Sequence, residues 1–393
     1  MAKDKPYYPH GPIGSLAILA KTLGVPPKLL SDLAKKASSS YTPFVIETKG
    51  GKQRDVYEPK YELKRLQKRI NSRLFEKIEY PNYLQGGVKD EIQPRDYIEN
   101  SKIHAGSKFL ISLDIRNFYD NIHIDSVLSI FKHLLKFPED VSTLLTSLVT
   151  REGRVPQGAC TSSYIANLIF HNSEYSYVKK LRDNGLQYSR LLDDVTISAD
   201  RLIPQEEVTK TIKYVAGLFS EHGLRLRQSK TKVERADDLK SAYNVTGVWV
   251  GHGIPKIRRA ERDMIRHSVY ICEQEYAKNC FSDDYHALWN KVSGQVAKLT
   301  RLNHAQAPKL RHRMRNILPL YDSKATSSIW RETDKMLKRP KKSHTKIGVI
   351  NAYRRLIYQL GILARTDKVL SRALRRQLQS RFSGVPSKAL MWE

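Results

Sequence analysis

The chain has 393 residues, 40% of them hydrophobic, and its 68 Lys and Arg against 40 Asp and Glu give a formal net charge of +28 at pH 7. This length predicts two or three domains with a buried core. The sequence has no run of 18 apolar residues and no secretory signal, and its three cysteines are too few for a disulfide framework and lack metal-ligand spacing. We therefore expect a globular protein without a membrane segment, in the reducing cytoplasm.

The positive charge is concentrated in the last third of the chain. Residues 256–393 contain 30 Lys and Arg against 11 Asp and Glu, a net charge of +19. A charge of this size exceeds what solubility requires and favours a polyanionic partner, because a phosphate backbone releases counterions when it binds such a surface. The alternative is a solvated basic face without a specific ligand.

In chain order, the first predicted elements are two short helices within residues 14–37, interrupted at 25–27 by Val-Pro-Pro. A β-hairpin follows over residues 41–59, with its turn at Lys-Gly-Gly-Lys, residues 49–52. Apolar residues at helical spacing then predict an amphipathic helix. Its buried face would consist of Leu63, Leu66, Ile70, Leu74 and Ile78.

The middle of the chain mixes strands and helices. Residues 107–122 predict a strand with Asp114 near its end, and residues 126–137, 142–149 and 163–181 predict helices. A strand, a tight turn and a strand are predicted over 188–198, then a helix over 206–222 and a short strand over 245–250. Everything beyond about residue 257 is typical of helix. The pattern predicts an α+β part followed by a basic all-α part.

Asp193 and Asp194 are adjacent carboxylates in the predicted turn of "YSRLLDDVTIS", where Asn-Gly would suit the backbone better. Taken alone, they would be an exposed turn. Asp114, however, ends a second apolar strand, and if the two strands are neighbours, three carboxylates converge. Clustered negative charge is costly without cations, and hard oxygen ligands select Mg²⁺ or Mn²⁺. Two such ions about 4 Å apart would activate a 3′-hydroxyl and stabilise a leaving pyrophosphate.

Five segments follow one another in a known order: "LISLDIRNFYDNI", "VPQGACTSSYIANLI", "YSRLLDDVTIS", "GLRLRQSKTKV" and "VTGVWV". They resemble motifs A to E of reverse transcriptases, and most closely those of the bacterial retron and defence-associated branch. The resemblance covers roughly residues 14–315. It implies an α+β right-hand polymerase of fingers, palm and thumb with an antiparallel palm sheet, followed by a basic all-α C-terminal extension.

The resemblance also implies domain boundaries. Residues 1–40 would form an N-terminal helical segment and residues 41–108 the fingers. The palm would span 109–256, with a fingers-like helical insertion at about 123–150. The thumb would span 257–315, and residues 316–393 would form the helical extension, with a hinge at 338–342.

The catalytic residues implied by the resemblance include the three carboxylates. Asp114 would be the metal ligand of motif A, and Asp193 and Asp194 those of motif C, together holding two Mg²⁺ or Mn²⁺ ions. Lys230 falls at the lysine of motif D, which donates a proton to pyrophosphate, and Lys232 is its possible substitute.

The implied nucleotide-binding residues come from three segments. Lys49 and Arg54 would fold over the triphosphate, unless they are solvated hairpin charges. Tyr119 would crowd the 2′ position of the sugar and so favour deoxynucleotides; its alternative role is a half-buried core aromatic. Gln157 and Gly158 would approach the nucleotide and template, because Gly permits close backbone approach, unless they are simply a turn entering a helix.

RNA-binding residues are implied by the segment before the palm, by the Val-Thr-Gly triplet of the retron branch and by the thumb, whose cations suit sugar-phosphate contacts. These residues are Asn100, His104, Val245, Thr246, Gly247, Arg258 and Arg259. The alternative role of the triplet is an ordinary β-turn.

The sequence departs from the family pattern at several positions. Motif C is usually Tyr-Ala-Asp-Asp, and this chain has Leu191 and Leu192 before the two aspartates. This change removes a hydroxyl near the primer end and adds bulk where template and primer pack, which affects primer grip, fidelity or primer dependence. Ser163, Arg227 and Ser101 replace a frequent Pro, Asn and Ala.

Together these features predict an RNA-directed DNA polymerase that copies a dedicated structured noncoding RNA, within antiviral defence. Its partners would be that RNA, the DNA product and deoxynucleotides, with a second copy of the chain or an effector protein as further options. One alternative makes DNA without a conventional template or primer, including from a protein hydroxyl. Another is a catalytically idle, maturase-like RNA-binding scaffold, which the intact carboxylates disfavour.

Overall fold

The computed structural model describes residues 4–47, 51, 53–238 and 241–385. The chain divides into two compact units between Lys256 and Ile257. The first unit mixes helices and strands, and the second contains helices only within its described residues. This change of architecture confirms the predicted α+β fold class with a basic all-α C-terminal part.

The first unit begins with two helices and a hairpin. The first helix starts where the side chain of Ser15 accepts a hydrogen bond from a backbone N–H, and the two strands pair antiparallel over their whole length. The two strands agree with the predicted hairpin, and residues 49, 50 and 52 of its predicted turn lie outside the described residues. These elements are α1 (Leu16–Leu23), α2 (Pro27–Lys35), β1 (Tyr41–Glu47) and β2 (Gln53–Pro59).

The next elements are α3 (Tyr61–Arg73), β3 (Leu84–Gln85) and α4 (Tyr97–Ile103). The predicted amphipathic helix is shorter than expected, because α3 ends at Arg73 and a single 3₁₀ turn follows over 75–77. The predicted apolar face is nevertheless buried along its whole length, including the two residues beyond the helix.

A five-stranded sheet forms the centre of the first unit. Its strand order is β3, β5, β6, β4, β7, and every pair is antiparallel except the edge pair of β3 and β5. The strands not yet defined are β4 (Phe109–Asp114), β5 (Gln187–Leu191), β6 (Asp194–Ala199) and β7 (Lys232–Arg235). Apolar residues of β4 and β6 are buried in the main core of this unit.

Six helices accompany this sheet: α5 (Phe118–Asn121), α6 (Ile124–Ser129), α7 (Glu139–Val149), α8 (Ser162–Leu168), α9 (Glu174–Asp183) and α10 (Gln205–Glu221). The prediction of one helix over 163–181 is wrong, because α8 and α9 are separate. The break contains Asn172 and Ser173, whose side chains compete with the backbone for hydrogen bonds and so favour helix ends. Ser173 Oγ lies 2.9 Å from His222 Nε2.

The predicted short strand over 245–250 is also wrong. The segment forms a small hairpin of β8 (Asn244–Val245) and β9 (Val248–Trp249), with Val245 opposite Val248. Thr246 and Gly247 form the turn, with φ of 47° and 80°. A run of β-prone residues hid this turn, in which Gly supplies the positive φ.

The second unit has two hydrophobic clusters. The first joins α11 (Arg259–Asn279), α12 (Asp283–Arg301) and α13 (Ala307–Asn316), and the second joins α14 (Ser323–Leu337), α15 (Ile347–Leu363) and α16 (Lys368–Arg381). Residues 341–343, which overlap the last two residues of the predicted hinge at 338–342, form one 3₁₀ turn. Within the described ranges, no helix is both long enough and apolar enough to cross a membrane.

Candidate active site

The three carboxylates predicted from the sequence meet at one end of the sheet. Asp114 is the last residue of β4 and is paired with Asp194, the first residue of β6. The backbone N–H of Ile115 donates to the carbonyl of Asp193 at 3.0 Å. Directly opposed residues in antiparallel strands have Cα atoms about 4.5–5.5 Å apart. Strand pairing therefore brings the three aspartate residues to the same end of the sheet.

The turn that carries Asp193 has an unusual backbone. Leu191 is paired with Asp194, so Leu192 and Asp193 are the two turn residues. Leu192 has φ of 60°, a left-handed conformation that side chains other than Gly, Asn and Asp rarely adopt. Such strain costs about 1–3 kcal/mol and persists only where surrounding contacts impose it.

Leu191 and Leu192, which replace the usual Tyr and Ala of motif C, pack against two glycines. A Cβ on Gly86 would lie 2.7 Å from Leu191 Cδ1, and one on Gly87 would lie 3.2 Å from Leu192 Cδ2. Gly86 and Gly87 also have φ of 76° and 68°. The larger leucine side chains therefore fit because Gly86 and Gly87 have no side chains at these contacts.

Partial burial and neighbouring negative charge raise the pKa of two of the carboxylates. The pKa of Asp194 is raised to about 6 by partial desolvation and by the charges of Asp193 and Asp114, against the lowering effect of Lys230. The pKa of Asp193 is raised by desolvation and by Asp114, while Lys230 and Arg54 oppose the shift. Partial burial therefore makes the negative charge of these two carboxylates costly in the absence of a bound cation.

Cations from motif D contact the buried Asp114. Lys230 donates to its Oδ2, and Arg227 Nε lies 3.4 Å from its Oδ1. Oδ1 is buried and accepts no hydrogen bond. In the part of the chain that the structure describes, no three His, Cys, Asp or Glu side chains form a ready metal-binding group. Lys230 instead donates to Oδ2 of Asp114, one of the predicted metal ligands. The unbonded Oδ1 of Asp114 and the raised pKa values of Asp193 and Asp194 fit a site for divalent cations.

Asp114 and Asp193 line a cleft of about 1250 Å³, and Asp194 is not part of that lining. Among the predicted residues, Arg54, Tyr119, Gln157 and Lys230 line it. The sequence interpretation did not assign nucleotide contacts to three further cations that also line it, although "LRLRQSK" and the strand-end "DIR" place them beside motif residues. These cations are Arg116, Arg225 and Arg227.

Tyr119 packs against the core and also lines the cleft, while its contact with the sugar of a nucleotide stays a prediction. Its ring is half-buried and lies 5.7 Å from the ring of Phe118, centroid to centroid. Burial and the nearby Asp193 raise the pKa of Tyr119 to about 12. The phenol is therefore neutral at the edge of the cleft, where it can act by steric contact.

Gly158 lies against the hairpin of β1 and β2. The backbone N–H of Tyr57 donates to the carbonyl of Gln157 at 2.8 Å, and a Cβ on Gly158 would lie 2.3 Å from Val56 Cγ1. Gly158 also has φ of 102°. Close backbone approach is required here, but to β2. Lys49, the other hairpin residue of the prediction, lies outside the described residues.

Asn100 and His104 occupy a different place from the one that RNA binding would need. Both side chains are buried. Ser189 of β5 donates to Asn100 at 2.6 Å, and His104 lies 2.7 Å from Ser189 and 2.8 Å from Ser198 of β6. The prediction that these side chains contact RNA is therefore not supported, because they bond to the strands of the central sheet instead.

The Val-Thr-Gly triplet is only partly accessible. Val245 is buried, and the Thr246 hydroxyl donates to the carbonyl of Tyr97 at 3.0 Å, so Gly247 is the exposed member. In the second unit, Arg258 precedes α11 and Arg259 begins it, with the Arg259 side chain largely exposed.

Sequence reasoning missed a buried ion pair beside the carboxylates. Arg190 and Glu174 are 0% and 2% exposed, and Arg190 Nε donates to Glu174 Oε1 at 2.6 Å. The only signal was an arginine within the otherwise apolar end of β5, and its partner lies sixteen residues earlier.

Comparison with known proteins agrees with this geometry. The sequence profile of the family described as reverse transcriptase (RNA-dependent DNA polymerase) matches residues 46–254. The retron Se72 reverse transcriptase of Salmonella heidelberg (strain 579083-10) is 44% identical over 95% of this chain and 98% of its own. The retron Ec48 reverse transcriptase of Escherichia coli is 32% identical over 81% and 80% of the two chains.

A solved structure of apo telomerase from Candida tropicalis aligns with 59% of this chain and 59% of its own at 12% identity, with a TM-score of 0.34. The family profile and the retron relatives confirm the predicted family and activity. The chain belongs to the reverse transcriptases as a retron-type bacterial member, and it is an RNA-directed DNA polymerase.

Proposed function

We propose that this polymerase copies a dedicated structured noncoding RNA by nucleotidyl transfer that depends on two divalent ions. The observation that carries the proposal is the meeting of Asp114, Asp193 and Asp194 at the end of the sheet, where Asp114 and Asp193 line a cleft with five cations. The carboxylates would bind metal and the cations would bind a nucleoside triphosphate.

Asp114, Asp193 and Asp194 would hold two Mg²⁺ or Mn²⁺ ions, which supply activation of the 3′-hydroxyl and charge stabilisation of the leaving pyrophosphate. Lys230 contacts Asp114 in this structure, so it must leave that carboxylate when an ion binds. Its ammonium is then available to donate a proton to pyrophosphate.

The remaining cleft residues would select and hold the nucleotide. Arg54 lines the cleft and is close enough to Asp193 to lower the pKa of its carboxyl, so a triphosphate held by Arg54 would lie beside the carboxylates. Tyr119 stands at the edge of the same cleft. Its neutral ring would exclude a ribose 2′-hydroxyl and so favour deoxynucleotides, and Lys49 and Gln157 would complete the site.

The RNA partner is supported by charge and by relatives. The second unit carries most of the excess positive charge, and Arg259 is exposed at the start of α11. We assign the fingers to 41–108, the palm to 109–256, the thumb to 257–315 and an RNA-gripping extension to 316–393. Similarity to retron reverse transcriptases over nearly the whole chain supports a dedicated RNA and a role in antiviral defence.

A DNA polymerase that uses no conventional template or primer remains the alternative, since Leu191 and Leu192 replace the Tyr and Ala of motif C. Family membership and the assembled carboxylates argue against the idle scaffold. Sequencing the nucleic acid that co-purifies with the protein separates the two polymerase hypotheses, because a copied RNA leaves complementary DNA and an untemplated reaction does not.

The catalytic assignment is tested on protein purified with its native RNA and supplied with Mg²⁺. Asp193→Asn should reduce deoxynucleotide incorporation by about 10³-fold, since it removes a negative charge that would hold the divalent ions. Asp200→Asn, an exposed change just beyond the other end of β6, is the matched control. Undiminished synthesis by Asp193→Asn, or equal use of ribonucleotides by the wild type, would contradict the proposal.

A further inference from the structure

The guanidinium of Arg190 uses all its donors inside the protein. Nε and Nη2 donate to the two Glu174 oxygens at 2.6 and 2.8 Å. Nη2 also donates to the Asn167 carbonyl at 3.1 Å, and Nη1 donates to the carbonyls of Ala166 and Leu192 at 3.0 and 3.1 Å. An arginine has five N–H groups, so none is left unpaired.

One of these five bonds reaches the turn that carries Asp193. Leu192 is the turn residue with left-handed backbone, and its carbonyl is the acceptor. The bond fixes the orientation of the peptide that joins Leu192 to Asp193. The other acceptors belong to α8 and to Glu174 at the start of α9, so the turn is tied to two helices.

The environment makes this tie rigid. Tyr188 donates to Glu174 Oε1 at 2.8 Å, which holds the carboxylate from a second direction. The Phe170 ring lies 4.9 Å from the guanidinium carbon. Asn167 donates from its side chain to the carbonyl of Gly86, beneath the leucines of the turn. A buried charge with complete pairing cannot move without breaking several of these bonds.

We propose that Arg190 is a positioning residue that holds Leu192 in its left-handed conformation and thereby aims the Asp193 carboxylate into the cleft. The inference rests on the proposed metal-binding role of Asp193. Arg190 itself is fully buried and does not line the cleft, so it acts through the turn. A merely structural Arg190 would stabilise the core without controlling that backbone.

The test uses glycine, which adopts positive φ without steric cost, against alanine, which removes the same leucine side chain but retains a Cβ. Leu192→Gly and Leu192→Ala are each made in the wild type and in Arg190→Lys. Lysine keeps the charge but has three donors, so it cannot replace five bonds. The complete protein with its native RNA is assayed for kcat, for the KM of deoxynucleotides and for thermal melting.

Arg190→Lys should lower kcat by about 10²-fold, as misplaced catalytic groups do, while the KM for deoxynucleotides stays within about threefold. The ratio of glycine to alanine activity at position 192 should be about tenfold higher in Arg190→Lys than in the wild type. Glycine would supply the conformation that the lysine variant no longer imposes. An increase of this ratio by less than about threefold overturns the inference, since non-interacting positions act independently.

Arg190→Lys can fail to fold, because breaking a buried ion pair is strongly destabilising. A second background, Arg190→Met with Glu174→Met, replaces both charges by apolar groups, and the same higher glycine to alanine ratio is expected there. Asp193→Asn is measured alongside. If that variant synthesises DNA normally, the proposed function fails; if it is inactive while glycine gives no advantage in either background, only the role of Arg190 fails.

Discussion

The β5–β6 hairpin and the β8–β9 hairpin each connect their strands by two residues, but different forces fix the two turns. Thr246 and Gly247 both have positive φ, the pattern of a type I′ turn, and Gly makes that turn locally favourable. Leu192 and Asp193 have no such local preference, and only Leu192 has positive φ. The carboxylate-bearing turn is held by the N–H of Ile115 and by Arg190, which is close in sequence but is itself fixed by the distant Glu174 and α8.

The comparison explains why polar groups are buried beneath the sheet. Strain at a functional turn persists only where its surroundings over-determine it. The Arg190 network lies on one side of β5, and the Asn100 and His104 network bonds to β5 and β6 on their serines. In the β8–β9 turn, the hydroxyl of Thr246 donates to the carbonyl of Tyr97.

The largest effect on stability is expected at the turn that contains Gly158. This residue needs both a positive φ and space beside Val56, which is distant in sequence. Gly158→Ala places a methyl group 2.3 Å from Val56 Cγ1 and demands positive φ from alanine. We expect a loss of about 3 kcal/mol in the free energy of unfolding, with reduced DNA synthesis, because overpacking and backbone strain add. Chemical denaturation measures the loss.

Gly153→Ala is the matched control for this change. Gly153 also has positive φ, 74°, but a Cβ there meets nothing within 4 Å. Its cost should be about 1 kcal/mol, from backbone strain alone. Equal losses for the two variants would show that the contact of Gly158 with β2 contributes nothing.

Acid should weaken the support beneath the carboxylate-bearing turn. Burial lowers the pKa of His104 to about 3 from 6.5. Between these values the unfolded state binds a proton that the folded state does not, so stability is intact above pH 6.5 and falls as pH decreases. The loss approaches about 1.4 kcal/mol per pH unit, or about 2 kcal/mol at pH 5.

His104→Asn should flatten this dependence between pH 6.5 and 4 in denaturation experiments, although it lowers stability at neutral pH by removing two bonds to the strands. His252→Asn, at an exposed residue of the same unit, is the control and should leave the slope unchanged. An unaltered slope in His104→Asn would mean that His104 is accessible to protons in the folded state.

The contrast between local and distant contacts also decides which features of this molecule the sequence predicts. Asp114, Asp193 and Asp194 were predictable because each follows or begins an apolar run. Pairing of the two strands then places these residues at the same end of the sheet. The buried ion pair of Arg190 and Glu174 was not predictable, because it depends on which helix packs against which strand. The sequence likewise does not show that Asn100 and His104 are buried, because polar side chains are usually expected on the protein surface. The division of the predicted helix over 163–181 depends partly on Glu174 reaching Arg190.

The locally encoded turn should respond to its own residues only. Gly247→Ala meets no neighbouring atom within 4 Å, so its cost is the positive φ of 80°, about 1 kcal/mol in the free energy of unfolding. Replacing Arg190 by Lys should not change that cost. A cost that depends on residue 190 would remove the distinction between the two hairpins.

The smallest effect tests whether Thr246 carries strain that Gly247 avoids. Thr246 is β-branched, with φ of 47°, and its hydroxyl donates to Tyr97. Thr246→Ser keeps the hydroxyl and removes the methyl group that crowds this conformation, so the free energy of unfolding should increase by about 0.5 kcal/mol. Thr246→Val, which keeps the branch and loses the hydrogen bond, should decrease it by about 1 kcal/mol. If serine destabilises the hairpin as much as valine does, the methyl group packs favourably and the turn is not strained at this residue.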